Sequence, residues 1–152
     1  MLTIIEDDLS DQAVQDLLAF HLEQMHVHSP PGSVFALDLA GLRRADVTVW
    51  TARQADRIAG VGALRSWTDG KGEVKSMRTH PDCLRQGVAS ALLEHIIAVA
   101  RRRNLKRLSL ETGSGPAFEP ALALYRRRGF VDGEAFGDYE KSAFNQFLHL
   151  AL

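Results

Sequence analysis

The period of the apolar positions changes several times along the chain, and each change predicts an element. Leu2 to Ile5 is a short apolar run and predicts a first strand. Leu9-Ser10-Asp11 offers an N-cap, after which Val14, Leu17, Leu18, His21, Leu22 and Met25 recur at helical spacing. His26-Val27-His28-Ser29-Pro30-Pro31-Gly32 is rich in breakers and predicts a loop. Ser33 to Leu42, with Phe35, Leu37, Leu39 and Leu42 apolar, predicts a second, shorter helix. Val47 to Ala52 alternates as a half-buried strand should, Arg53 to Arg57 is a polar turn, and Ile58 to Trp67 is a further strand containing Gly60 and Gly62. Asp69-Gly70-Lys71-Gly72 is a hairpin signal leading into Glu73 to Thr79. Three consecutive strands joined by short turns predict an antiparallel meander.

His80-Pro81 then breaks the pattern, and the clearest helix of the chain follows Gly87. Val88, Ala89, Leu92, Leu93, Ile96, Ile97 and Ala100 form one stripe, with Arg101-Arg102-Arg103 at the C-terminal end where the helix dipole favours cations. Asn104 ends it, and Lys106 to Thr112 reads as a strand. Strand, helix and strand without a hairpin predict parallel neighbours joined by a right-handed crossover. Gly113 to Pro116 breaks the chain again. A helix runs to Arg128 with Pro120 near its first turn and Gly129 as its stop, and Phe130-Val131 and Asn145 to Leu150 are closing strands. The class is α/β, one domain over 1–152 with a mixed sheet of six or seven strands.

Composition changes this picture little. With 45% hydrophobic and 24% charged residues in 152, the chain is long enough for a sizeable core. A net charge of −1 gives no general attraction to nucleic acid or to anionic membrane, so neither is expected as a partner. One cysteine, Cys83, excludes an internal disulfide and a cysteine-rich zinc site. The N-terminus lacks the basic-then-apolar pattern of a signal peptide and no apolar run is long enough for a bilayer, so a cytoplasmic location is expected.

The chemistry concentrates at Gly72 to Ala91, a strand, a basic glycine-bearing loop (Arg85-Gln86-Gly87) and a helix N-terminus. Gly87 lets the backbone approach an anion, and the unpaired N–H groups of the first helical turn point at it. His21 lies on an apolar helix face, where a hydrogen-bonded core histidine and a functional one are both open. His26 and His28, at i and i+2, have no third residue spaced to complete a metal site, so no metal is expected; they are placed instead in the wall of a substrate cleft.

With this order of elements the chain resembles the GCN5-related N-acetyltransferase (GNAT) family over nearly its whole length. The family's acetyl-CoA signature, Gln or Arg, two residues, Gly, one residue, then Gly or Ala, aligns with Leu84-Arg85-Gln86-Gly87-Val88-Ala89, with Leu84 in place of the polar residue. A second signature, a tyrosine followed by basic residues and Gly-Phe, is Tyr125-Arg126-Arg127-Arg128-Gly129-Phe130. An asparagine often found before that tyrosine is absent; Ala117 and Phe118 stand there. Within the family the chain is similar to a small subgroup with a His-Ser-Pro-Pro loop after the first helix.

The resemblance implies a mostly antiparallel sheet with a central parallel pair splayed around an acyl-CoA, about four helices, and acetyl transfer to a primary amine of a small molecule, amino acid or peptide. Acetyl-CoA is the implied co-substrate. Main-chain N–H groups of Arg85, Gln86, Gly87, Val88, Ala89 and Ser90 would hold its pyrophosphate, and one of Arg126 to Arg128 or a residue near Arg85 its 3′-phosphate. The strand backbone at Met77, Arg78 and Thr79 would pair with the pantetheine arm, the Met77 N–H polarising the thioester carbonyl. Glu73 stands eleven residues before Leu84, where histone-acetylating relatives keep a general base. At i−4 from Met77 it is expected on the same side of the strand; a surface glutamate paired with Lys75 or Arg78 is the other reading. Tyr125 would protonate the leaving thiolate, or else pack helix against sheet. Asp138 lies in a loop that overlooks the acceptor in this fold. Relatives often dimerise, which makes a homodimer an expectation. A catalytically silent acyl-CoA-binding module is the alternative that Leu84 and the absent asparagine suggest.

Overall fold

One seven-stranded sheet organises the chain, and a computed structural model describes it from Met1 to Leu152. The elements are β1 (Leu2–Glu6), α1 (Gln12–His28), α2 (Leu39–Leu42), β2 (Val47–Gln54), β3 (Arg57–Ser66), β4 (Lys71–Thr79), α3 (Val88–Arg102), β5 (Arg107–Thr112), α4 (Glu119–Arg127), β6 (Val131–Asp132) and β7 (Gln146–Ala151). Short 3-10 turns sit at Pro81–Cys83 and Pro116–Phe118. The strand order is β1-β2-β3-β4-β5-β7-β6, so the expected meander forms and β7 enters between β5 and β6. β4 and β5 are the only parallel pair, as their connection through α3 predicts. The class is the expected one: α/β, mostly antiparallel, with four helices. None of the helices is long and apolar enough to cross a membrane.

The helices take opposite faces of the sheet. Leu9, Val14, Leu17 and Leu18 from the α1 region pack with Val61 and Ala63 of β3. The other face carries the larger core, in which Leu92, Leu93 and Ile96 of α3 and Leu122 of α4 meet Leu64, Val74 and Leu108. Each of those fully buried side chains contributes roughly 1.5–3 kcal/mol through the area it removes from water. Gly60 and Gly62 let α3 settle this close. A Cβ on Gly60 would stand 2.6 Å from Val88 Cγ1, and one on Gly62 2.7 Å from Met77 Sδ.

Two expectations are corrected here. His26 and His28 were expected in a loop but form the last turn of α1, which begins at the Asp11 cap (Oδ1 accepts from Ala13 N, 2.9 Å). Nothing before Ser29 obstructs the helix; Pro30 ends it by forcing Ser29 into extended backbone, φ −123° and ψ 144°. The helix expected over Ser33 to Leu42 is confined to Leu39–Leu42, capped by Asp38 on Gly41 N at 2.8 Å. Phe35, Leu37 and Leu39 repeat every second residue, which is a strand's period rather than a helix's.

A bulge reorganises the centre of the sheet. β3 and β4 pair Val61 with Arg78 and Ala63 with Lys75, so Gly62 alone opposes Ser76 and Met77. Ser76 takes φ +56°, the left-handed conformation that accommodates the extra residue. Side-chain alternation therefore flips across it. Glu73, Lys75 and Arg78 pair with Arg65, Ala63 and Val61 and share the α1 face, whereas Met77 turns toward Gly62 and α3. The expectation that Glu73 and Met77 face the same side fails for this reason.

Candidate active site

The parallel pairing of β4 and β5 stops early. Lys71, Gly72 and Glu73 pair with Arg107, Leu108 and Ser109, and beyond that register the strands diverge. The opening is a cavity of about 420 Å³ lined by Glu73 to Arg78 on one side, Leu110 to Thr112 on the other, α1 above and Ala117 to Tyr125 beyond. Along its wall the β4 backbone has lost its neighbour, and the Ser76 Oγ is buried with no hydrogen-bond partner.

Beyond the slot, β4 leads through a turn to the start of α3. His80 Nδ1 accepts from Asp82 N (3.1 Å) and sets the turn after β4. Arg85 and Gly87 both take positive φ, 61° and 79°. Gly87 caps the helix with no side-chain bond, and an added Cβ there would meet nothing within 4 Å. The first-turn N–H groups of Val88, Ala89 and Ser90 are thus open to an anion, in the kind of N–H concavity that holds phosphates. The Val88 side chain is core, so its part in binding can only be through its backbone. Arg85 and Gln86 are exposed, as is Leu84 (58%). Of the three arginines that follow Tyr125, Arg128 reaches this turn, bonding Ser90 Oγ and pairing with Glu94 at 2.7 Å. Arg126 pairs instead with Asp132.

Tyr125 is held in the slot by the end of its own helix. Phe130 N donates to Tyr125 O (3.1 Å) and Gly129 N to Arg126 O (3.1 Å), with Gly129 at φ +97°. This is a Schellman cap, completed by the Phe130 ring edge-on to Tyr125 at 5.8 Å. The Tyr-x-x-x-Gly-Phe pattern is therefore a helix-stop geometry that aims the phenol. No hydrogen bond from the chain holds that hydroxyl. Burial pushes its pKa up to about 12, against a smaller downward pull from Arg78.

On the α1 face the cavity is charged. Glu73 is 1% exposed, and both its oxygens are engaged: Oε1 accepts from Trp67 Nε1 (3.2 Å), Oε2 from Lys75 Nζ (3.2 Å) and from Tyr139 OH (2.5 Å). Lys75 also reaches the Tyr139 oxygen at 2.8 Å. Burial and then the Glu73 charge push the Tyr139 pKa far up, so it stays a neutral donor. Arg78 donates through Nε to His21 Nδ1 (3.0 Å), and burial, helped by that guanidinium, lowers the His21 pKa to about 3. His21 is thus a neutral, hydrogen-bonded histidine in the cavity wall. Glu111, on β5, has no hydrogen-bond partner in the chain. Burial raises its pKa to about 7, with Lys75 pulling it down and Glu73 pushing it up.

The structure brings Glu73, Met77, Arg78, Tyr125 and His28 to this cavity. His26 is exposed outside it, and Asp138 is an exposed loop residue whose neighbour Tyr139 points inward instead. Glu111 and Tyr139 were not singled out from the sequence, whereas Lys75 was named as a partner for Glu73 and is one, at 3.2 Å, though on a buried rather than a surface glutamate. For Glu111 the available signal was a carboxylate near the C-terminal end of a strand with a parallel neighbour.

A strand pair parted by a bulge, a glycine-initiated helix open to anions and a tyrosine aimed between them all occur together. The Acetyltransferase (GNAT) family matches the chain over residues 12–130. The chain belongs to this family. It is 48% identical over 152 residues to the uncharacterized N-acetyltransferase YedL of Escherichia coli (strain K12), covering all of this chain and 96% of that one. Its fold superposes on a solved candidate acyl-CoA N-acyltransferase from Klebsiella pneumoniae with a TM-score of 0.85 and 28% identity, covering 100% and 98% of the two chains. A Bacillus subtilis acetyltransferase in complex with CoA shares the fold, with a TM-score of 0.74, 18% identity and coverage of 100% and 99%. This GNAT chain is an acyltransferase.

Proposed function

We propose that this GNAT protein transfers an acetyl group from acetyl-CoA to a primary amine by direct attack in a ternary complex. The observation that carries the reading is the slot between β4 and β5, charged on its α1 face, whose β4 wall runs on through the turn at Pro81–Cys83 to the open first turn of α3. Acetyl-CoA supplies the activated thioester acyl group when bound. The N–H groups from Arg85 to Ser90 hold its pyrophosphate, and the freed backbone at Met77 and Thr79 pairs with the pantetheine amides. The Met77 N–H donates to the thioester oxygen, an interaction of a type whose loss costs roughly 3 kcal/mol.

Glu111 takes the proton from the attacking amine as the C–N bond forms. A base with a pKa near 7 is matched to that work at neutral pH, and Glu111 is uncommitted where Glu73 is held by three donors. Glu73, expected as the base, becomes the residue that positions Lys75 and Tyr139. As the C–S bond breaks, Tyr125 gives its proton to the sulfur and regains one from solvent. Its raised pKa keeps the phenol protonated until then.

The test is CoA release from acetyl-CoA across a broad amine panel, followed by variants. Glu111→Gln is expected to lower kcat/KM by roughly 100-fold or more and to abolish the rise in rate as pH passes through about 7. Tyr125→Phe should lower kcat while acetyl-CoA still binds. Background-level release on every amine refutes the reading.

A further inference from the structure

Two charges in the cavity have no partner. Lys75 is compensated by Glu73 at 3.2 Å, but Arg78 and Glu111, both on the α1 face, pair with nothing and not with each other. Arg78 spends one of its five N–H donors on His21 Nδ1. The four on its terminal nitrogens find no acceptor in the chain, although the side chain is buried enough for desolvation to lower its pKa. The Phe20 ring packs against the guanidinium, 5.8 Å from centroid to carbon, and Arg78 also lines the cavity. A half-desolvated guanidinium with a free fork is incomplete until a planar anion meets it. The one residue that holds it, His21, is fixed as a neutral acceptor and cannot supply that charge.

We infer that Arg78 is the receptor for a carboxylate carried by the acceptor, so that the substrate is an amino carboxylate with its amine at Glu111 and its acid group on the Arg78 fork. This assignment rests on the acetyl-transfer reading above. It follows from where the bulge at Ser76 places the side chain. Without the flip, Arg78 would point to the α3 face and meet the core, not the acceptor side. Arg78 lies three residues beyond Lys75 with the bulge between them, opposite Val61 where Lys75 is opposite Ala63, so the two cations stand apart along the α1 face. Neutral His21 and the Phe35 ring, edge-on to Tyr139 at 5.3 Å, add no counter-charge for Arg78 to the wall.

The experiment compares amino acids, α and ω, with the amines they become on decarboxylation, using the full-length protein and acetyl-CoA. Wild type is expected to favour the carboxylate-bearing partner of each pair by about 10- to 100-fold in kcat/KM, the range of a charge-assisted bidentate contact. In Arg78→Met that ratio should collapse to about one, and in Arg78→Lys it should fall only in part. Acetyl-CoA affinity, set by the backbone of β4 and α3, reads whether each variant is folded. A wild type that acetylates amines without distinguishing the pairs overturns the receptor, as does an undiminished ratio in Arg78→Met. If no amine is acetylated, the acetyl-transfer reading falls by itself, and the receptor is judged by binding. It stands if amino carboxylates raise the Tm of the CoA-bound wild type but not of Arg78→Met, and it is overturned if they raise neither or both.

Discussion

His21 and Glu111 show how one cavity holds two groups away from their ordinary ionisation. Both are moved chiefly by burial, in opposite senses, because burial disfavours charge on either. For His21 the folded pKa, about 3, lies below the unfolded value near 6.5. The unfolded chain therefore binds the extra proton as pH falls, and stability present above about pH 6.5 is lost progressively toward pH 3. His21→Gln keeps an acceptor for Arg78 Nε and cannot titrate. Its unfolding free energy, measured by urea denaturation between pH 7 and 4, is expected to fall less steeply than that of wild type. Residue types were legible at this scale, since the resemblance to the family pointed to Glu73, Met77 and Tyr125. Their states were not. Glu73 and Glu111 are both carboxylates on strands, and only contact with Trp67, Lys75 and Tyr139 makes one fixed and the other free.

The elements that matter most are the bulged strand β4 and the helix it feeds. α3 lies against β3 only because Gly60 has no side chain. A methyl there would press on Val88 Cγ1 at 2.6 Å and on the Arg78 carbonyl at 3.1 Å. A branched side chain and a backbone atom yield little, so Gly60→Ala is expected to destabilise the fold by roughly 1–3 kcal/mol. Because the strain falls on the first turn of α3, acetyl-CoA affinity should drop with it, readable by calorimetry alongside the thermal melt. The long periodic helices and the hairpin turns were readable from sequence, where period and turn residues agree. The bulge was not, since Gly62 and Ser76 carry no local signal that one opposes two residues. α1 overran its expected end for a simpler reason: two histidines do not break a helix, whereas a proline does.

Across the whole molecule, the slot divides the sheet where β4 and β5 part, and a ligand lying in it touches both halves. Acetyl-CoA should therefore stabilise the folded state by mass action, by about 2.7 kcal/mol at a concentration 100 times its Kd. That corresponds to a rise in Tm of several degrees for a chain of this size, which thermal melts with acetyl-CoA and with dephosphorylated CoA fragments would measure. No rise at saturating acetyl-CoA would contradict the slot as its binding place. By itself the sequence determined the order and type of the main elements, the parallel pair and the glycine-initiated helix start. Those depend on local periodicity and on where glycine and proline fall. Which side chains share a face, which carboxylate is free and which cation lacks a partner were decided only by the tertiary structure. One extra residue in β4 inverts the alternation, and burial then fixes the charges of whatever it brings together.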